Sequence, residues 1–214
     1  MKTINFIEES SIGVAWVLAL NTVLSHGTDI KDGDVVLKEF LNLTVSITQP
    51  NCNFFEDEIL KEYGNKEMVN IMEGNFFADV PFNNWGYSYA QRINNFDGID
   101  QYQKTLQKLK ENPESKSATI ILNKPSSDSQ HIPCVNILDF KLRKDTLILN
   151  AFFRSQDIAK KMFADAICLS KIAQNMVDQL DIKNKILNIY IMSAHIYEQD
   201  IKNAQRIAQN APNK

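Results

Sequence analysis

The chain has 214 residues, 44% of them hydrophobic, with 23 Lys+Arg against 26 Asp+Glu and a formal net charge of −3. That size suffices for one sizeable core and reads as a single domain over residues 1–214; the lack of a basic excess argues against a nucleic-acid backbone or an anionic membrane as the main partner. Three cysteines, Cys52, Cys134 and Cys168, are too few and too scattered for a disulfide framework or a CxxC metal site, which favours a reducing cytoplasmic setting and a small-molecule ligand.

In chain order, Ile12, Trp16, Leu20 and Leu24 recur at helical spacing and predict an amphipathic helix from Glu9 to Ser25, stopped by His26-Gly27. Its apolar run from Val14 to Leu20 follows acidic residues and lacks a cleavage site, so it reads as a core helix rather than a leader, and no segment reads as membrane-spanning. The piece GTDIKDGD reads as turn, and EFLNLTVSITQP as a strand ended by Pro50. Helix is predicted from Phe55 to Met72 with a break at Gly64-Asn65, then an irregular loop from Gly74 to Tyr89. A further helix spans Gly98 to Glu111, followed by a short strand SATIIL and a surface loop SSDSQH. Residues 132–155 read as two strands joined at Arg143 to Asp145. The longest helical pattern runs from Asp157, a natural N-cap residue, to Leu180; the strand KILNIYIMSAHIY and a polar C-terminal helix complete the chain. Helices with strands of mixed spacing predict an α/β or α+β layered fold.

Four pieces carry chemistry: Pro133-Cys134, Arg154-Ser155-Gln156-Asp157, Asp165, and His195-Ile196-Tyr197. Taken alone, Cys134 is a small half-buried hydrophobe and Asp165 a polar residue on an exposed helix face. As an ordered set, with LKENPESKSATIIL and WGYSYAQRI upstream, they resemble the thymidylate synthase family, whose nucleophile follows a proline and is followed by an RSxD turn and an HxY pair. The resemblance runs from about Trp85 to Tyr197. The N-terminal part, AWVLALNTVLSHG and EFLNLTVSI, is closer to the compact archaeal-type synthases and the CMP hydroxymethylases.

The resemblance implies a mixed β-sheet packed with helices, a homodimer formed through a sheet face with shared active sites, a pyrimidine nucleotide substrate and 5,10-methylenetetrahydrofolate or a related pterin as one-carbon donor. It makes Cys134 the nucleophile for C6 of the pyrimidine, with Arg154 the cation beside the sulfur. Arg154 and Ser155 would hold the phosphate, and Asp157 would serve both base and folate. His195 and Tyr197, on one side of a strand, would bind a sugar hydroxyl. Tyr87 or Tyr89 takes the place of the family tyrosine beside the nucleophile, with Tyr89 carried forward as the catalytic one. Trp85 would stack on the pterin, and Arg92 reads as a salt-bridge residue.

Several departures set the expected specificity. Most members carry asparagine where Asp165 stands. Cytosine offers an acceptor at N3 and a donor amine where uracil offers the reverse, so a carboxyl sharing one proton with N3 suits cytosine. Known cytidylate hydroxymethylases carry aspartate there. The family's adjacent arginine pair, donated by the partner subunit, is replaced by Lys116-Ser117, so either Lys31, Lys38 or Lys116 replaces the arginine clamp or the substrate is not a simple 5′-monophosphate. Val135 stands where a histidine usually follows the cysteine, and the upstream general acid/base glutamate is one of Glu39, Glu56, Glu58 and Glu62. The chain also stops soon after the HxY strand, which favours a water-quenched product. The expected reaction is C5 hydroxymethylation of CMP or dCMP. The alternatives are methylation of dUMP to dTMP and an inactive nucleotide-binding homologue.

Overall fold

The computed structural model describes residues 5–82, 85–128 and 131–211. One mixed sheet contains β1 (Asn5–Glu9), β2 (Thr28–Asp32), β3 (Val35–Ile47), β4 (Ala118–Ile121), β5 (Val135–Arg143), β6 (Thr146–Phe153), β7 (Gln156–Asp157) and β8 (Asn184–Tyr197). The path is β1-β3-β8-β6-β5-β4, with β2 paired to β3 and β7 to β8. The contacts β1/β3, β6/β8 and β7/β8 are parallel and the rest antiparallel. The helices are α1 (Ile12–His26), α2 (Glu58–Tyr63), α3 (Lys66–Phe77), α4 (Tyr89–Asn94), α5 (Gln101–Glu111), α6 (Met162–Leu180) and α7 (Ile201–Asn210). The layered α/β architecture is the one expected.

Helix α1 starts where the Ser11 side chain accepts the Val14 N–H and ends at Gly27, as its period and stop signal predict. A Cβ on Gly27 would meet the Val23 carbonyl, so the helix can end there only on glycine. The Trp16 and Phe163 rings meet at 4.7 Å and join α1 to α6. Burying each such side chain stabilises the fold by roughly 1.5–3 kcal/mol. Trp16 Nε1 also donates to the Ile158 carbonyl at 2.7 Å, so the first helix holds the turn that follows β7.

Strand β8 is the centre of the sheet. Leu187, Ile189 and Ile191 are buried on its helix-covered face, while Asn188, Tyr190 and the exposed Met192 alternate with them on the other. On that second face Tyr190 stacks on Phe152 at 4.6 Å, and Asn188 donates to Asn150.

Two expectations need correction. The stretch read as turn contains β2, which forms a hairpin with β3 around Gly33-Asp34; Gly33 has φ 61°, as such a turn requires. This is an edge strand with one sheet neighbour and an exposed pattern, so no apolar alternation marks it. Asp157 is not the N-cap of α6. It lies in β7, its Oδ1 accepts the Lys160 N–H at 3.1 Å, and the helix begins only at Met162. Pairing with β8 holds residues 156–157 extended, and that outweighs the local capping preference.

Candidate active site

The β-bridging pattern places three side chains abreast. Asp157 of β7 pairs with His195 of β8, and His195 pairs with Glu39 of β3. Between β6 and β7, Arg154 and Ser155 leave the ladder, which brings their side chains over the start of β5. All five residues line one cavity of about 590 Å³, together with Cys134, Tyr89, Asp165, Tyr197 and Trp85. With Lys31, which also lines it, eleven of the residues named from sequence converge, counting Glu39 and Lys31 among their alternatives.

Cys134 is half-buried just before β5. The Arg154 N–H donates to its carbonyl at 2.9 Å. Arg154 Nη2 donates to the Ile132 carbonyl at 2.8 Å and Nε to the Pro133 carbonyl at 3.1 Å, so the guanidinium clasps the two residues before the thiol. Ser155 Oγ donates to Cys134 Sγ at 3.8 Å and accepts from Arg154 Nη1 at 3.2 Å. Serine, arginine and thiol are thereby one connected unit.

Tyr89 is the cavity-lining member of the two tyrosine registers. Burial, with the nearby charges of Cys134 and Asp165, holds its hydroxyl well above the usual tyrosine range, so it remains a donor. Its backbone N–H donates to the buried Asn75 and its ring meets Phe76 at 4.8 Å. Tyr87 instead donates its hydroxyl to the His131 carbonyl at 2.8 Å, and its ring lies 3.4 Å from the Arg92 guanidinium carbon. Arg92 forms a buried bidentate pair with Asp128 and also donates to the Leu122 carbonyl. It is the salt-bridge residue expected.

Asp165 lies in the first turn of α6, 3% exposed and facing this cavity rather than solvent. Gln156 Nε2 donates to its Oδ2 at 2.7 Å, while Oδ1 is buried and has no partner among the described residues. Burial pushes the carboxyl up to about 7, opposed by the Gln156 hydrogen bond and by Lys161, and aided by the Asp157 charge. Burial also raises Asp157, against the Lys160 N–H and the charges of His195, Lys161 and Lys160. It lowers His195 in spite of Asp157, which favours a neutral imidazole. The His195 and Tyr197 rings meet edge to face at 5.1 Å.

Among the four glutamates, Glu39 lines the cavity, accepting from Ser193 Oγ; Glu56, Glu58 and Glu62 lie together along a different surface groove. Of the lysines, Lys31 lines the cavity, Lys38 is paired with Asp29 at 2.7 Å, and Lys116 is exposed between α5 and β4, outside this chain's cavity. Among the polar lining residues, sequence reasoning gave no role to Asp32, Gln156, Lys161 and Ser193. Gln156 occupies the variable position of the RSxD turn. Lys161 was hidden by the assumption that residues after Asp157 are helical.

Trp85 is half-buried at the cavity wall, its ring 5.3 Å from Phe82 and 6.4 Å from Tyr87. No helix among the described residues is long and apolar enough to cross a membrane.

Residues 46–214 match the thymidylate synthase family. A protein of Methanococcoides burtonii named "Putative thymidylate synthase" is 32% identical over 211 residues, covering 94% of this chain and 93% of its own. A relative of the same name from Methanosarcina mazei is 30% identical over 204 residues, covering 91% and 90%. The thymidylate synthase of Mycoplasma genitalium is 27% identical over 179 residues, covering 79% of this chain and 61% of its own. The chain thus belongs to the thymidylate synthase family and is a one-carbon transferase for a pyrimidine nucleotide, with methylenetetrahydrofolate the family's one-carbon donor.

Proposed function

We propose that this enzyme hydroxymethylates C5 of a cytosine nucleotide, CMP or dCMP, through a Cys134 adduct at C6. The observation that carries the choice of base is Asp165: a buried carboxyl in the Cys134 cavity, with one oxygen lacking a protein partner and a pKa of about 7. Near neutrality such a group holds or gives up a proton at little cost. Sharing it with N3 while accepting from the exocyclic amine satisfies both cytosine edge groups.

Arg154, Ser155 and the cavity lysines Lys31 and Lys161 hold the phosphate, and His195 with Tyr197 holds the sugar. The thiolate of Cys134 forms the bond to C6 while the proton at N3 draws electron density from the ring, so C5 becomes nucleophilic. C5 would then take the one-carbon unit while the folate nitrogen that carried it leaves, the C5 proton would pass to Glu39, and once water has given the new carbon its hydroxyl oxygen, expulsion of the sulfur restores the aromatic ring. Tyr89 donates a hydrogen bond beside the nucleophile. Methylenetetrahydrofolate supplies the carbon at the oxidation level of formaldehyde, and a water oxygen completes the hydroxymethyl product.

The cavity residues fit that donor. Trp85 offers a half-buried aromatic face, and Asp157 offers a buried carboxyl to the adjacent N–H donors of a pterin edge. The face of the sheet carrying Phe152, Tyr190 and Met192 is the surface for a homodimer, in which Lys116 reaches the partner's site. Sedimentation at micromolar concentration should give a dimer, and a monomer would remove that part of the reading.

The deciding experiment is tritium release from C5-labelled CMP, dCMP and dUMP with methylenetetrahydrofolate, followed by product mass. Release from a cytosine nucleotide, abolished in Cys134→Ala, is expected. Release from dUMP alone with a methylated product would establish thymidylate synthesis instead, as the names of the relatives suggest.

A further inference from the structure

Among the described residues, Gln156 is the one neutral side chain bonded to Asp165, and the reaction just described gives it no task. Its contact has a directional consequence. An amide N–H only donates, so the oxygen that receives it, Oδ2, must act as an acceptor. A neutral carboxyl free of such a contact carries its proton on either oxygen. It would then present acceptor-donor or donor-acceptor along the same edge and read uracil or cytosine alike. With Oδ2 held as acceptor, any proton resides on Oδ1, the buried oxygen without a protein partner.

We propose that Gln156 is a specificity-determining positioning residue: by donating to Asp165 Oδ2 it confines the carboxyl proton to Oδ1, so the site accepts one pyrimidine edge and rejects the other. This rests on the reading of Asp165 as the residue that faces the base. It does not depend on which base wins, because the lock sets discrimination and the seating of the ring sets its direction. The second lone pair of Oδ2 stays available to the base. The geometry supports a dedicated contact: Gln156 is 3% exposed in a two-residue strand anchored on β8, and Asp165 is fixed in a helix turn. The charged or titratable groups around the carboxyl are Lys161 before the helix, Asp157 on β7, Tyr89 on α4 and Cys168 on α6. The Gln156 bond stabilises the ionised form, so its loss raises the Asp165 pKa further.

The test uses full-length Gln156→Met, which keeps the side-chain length and removes the donor, and Gln156→Leu as a second variant. Binding of CMP, dCMP and dUMP is measured by equilibrium dialysis in a Cys134→Ser background, so turnover is not required. The ratio of affinity for the favoured base to that for the disfavoured one should fall at least about 10-fold, toward one, mainly through tighter binding of the disfavoured base. In apo protein the ¹³C carboxyl titration of Asp165 should move upward from its midpoint near 7. An unchanged ratio in a folded variant overturns the inference. So do equal losses for both bases with the titration unmoved, or a wild-type protein that does not discriminate between them. Failure of turnover with preserved binding discrimination would instead count against the proposed reaction and leave the lock standing.

Discussion

Replacing Asp165 with asparagine should turn the enzyme from cytosine toward uracil. An amide cannot exchange donor and acceptor by moving a proton; turned with its oxygen toward N3–H and its NH2 toward O4 and a turned Gln156 Oε1, it suits uracil and mismatches both groups of cytosine. Because Asp165 is only 3% exposed, water cannot easily repair a mismatched pair there. Two buried polar groups left unsatisfied cost about 1–3 kcal/mol each. The preference, as kcat/KM for CMP or dCMP over dUMP, should therefore swing by about 30- to 25,000-fold. Tritium release from the three labelled nucleotides, with thermal melts as a folding control, measures it. A folded Asp165→Asn enzyme with wild-type base preference would refute the assignment of Asp165 to the base edge, whatever happens to absolute activity.

The same substitution should alter stability with a defined pH dependence. The folded pKa of about 7 lies above the ordinary aspartate value of 3.8, so the folded state holds this proton more tightly. Its contribution is fully present below about 4 and declines as pH rises toward 7, a penalty on the order of a few kcal/mol. Apo Asp165→Asn should thus melt above wild type at pH 8, with the gap closing toward pH 4; a pH-independent gap would contradict the assigned shift. Arg92→Leu should destabilise the fold by about 3–5 kcal/mol, because it strands the Asp128 carboxylate in the interior. Urea denaturation reads this, and Arg92→Leu with Asp128→Leu should recover part of the loss. Trp85→Ala should raise the KM for methylenetetrahydrofolate roughly 10-fold while nucleotide affinity holds, if the indole is the pterin platform. Equal loss of nucleotide affinity would make it a wall of the nucleotide site.

What the sequence reveals divides along physical lines. Helix α1 was legible because its 3.6-residue period and its glycine stop are local, whereas its start, expected at Glu9, lies three residues later because Glu9 pairs in β1. So was the β5–β6 hairpin, whose turn carries Lys144 at φ 55°. Strand β2 and the start of α6 were not, since each is determined by pairing to a strand distant in sequence. The same distinction applies in the site. Cys134, Arg154 and His195 sit at recognisable intervals. Glu39 became distinguishable from Glu56, Glu58 and Glu62 only through its register against His195. Gln156 has no local signature, because its significance is one hydrogen bond to a helix that begins after it.

The antiparallel pairing of β3 with β8 has a consequence for how the enzyme comes into being. Glu39 and His195 face each other although they are far apart in sequence, so this face of the cavity cannot exist on a nascent chain until His195 has left the ribosome. Long-range strand pairing of this kind carries a loop-closure cost that is recovered only once the final strand docks. Until then Cys134 lacks the wall that β3 and β8 build around it. A late-closing sheet therefore ties assembly of the cavity to the synthesis of β8.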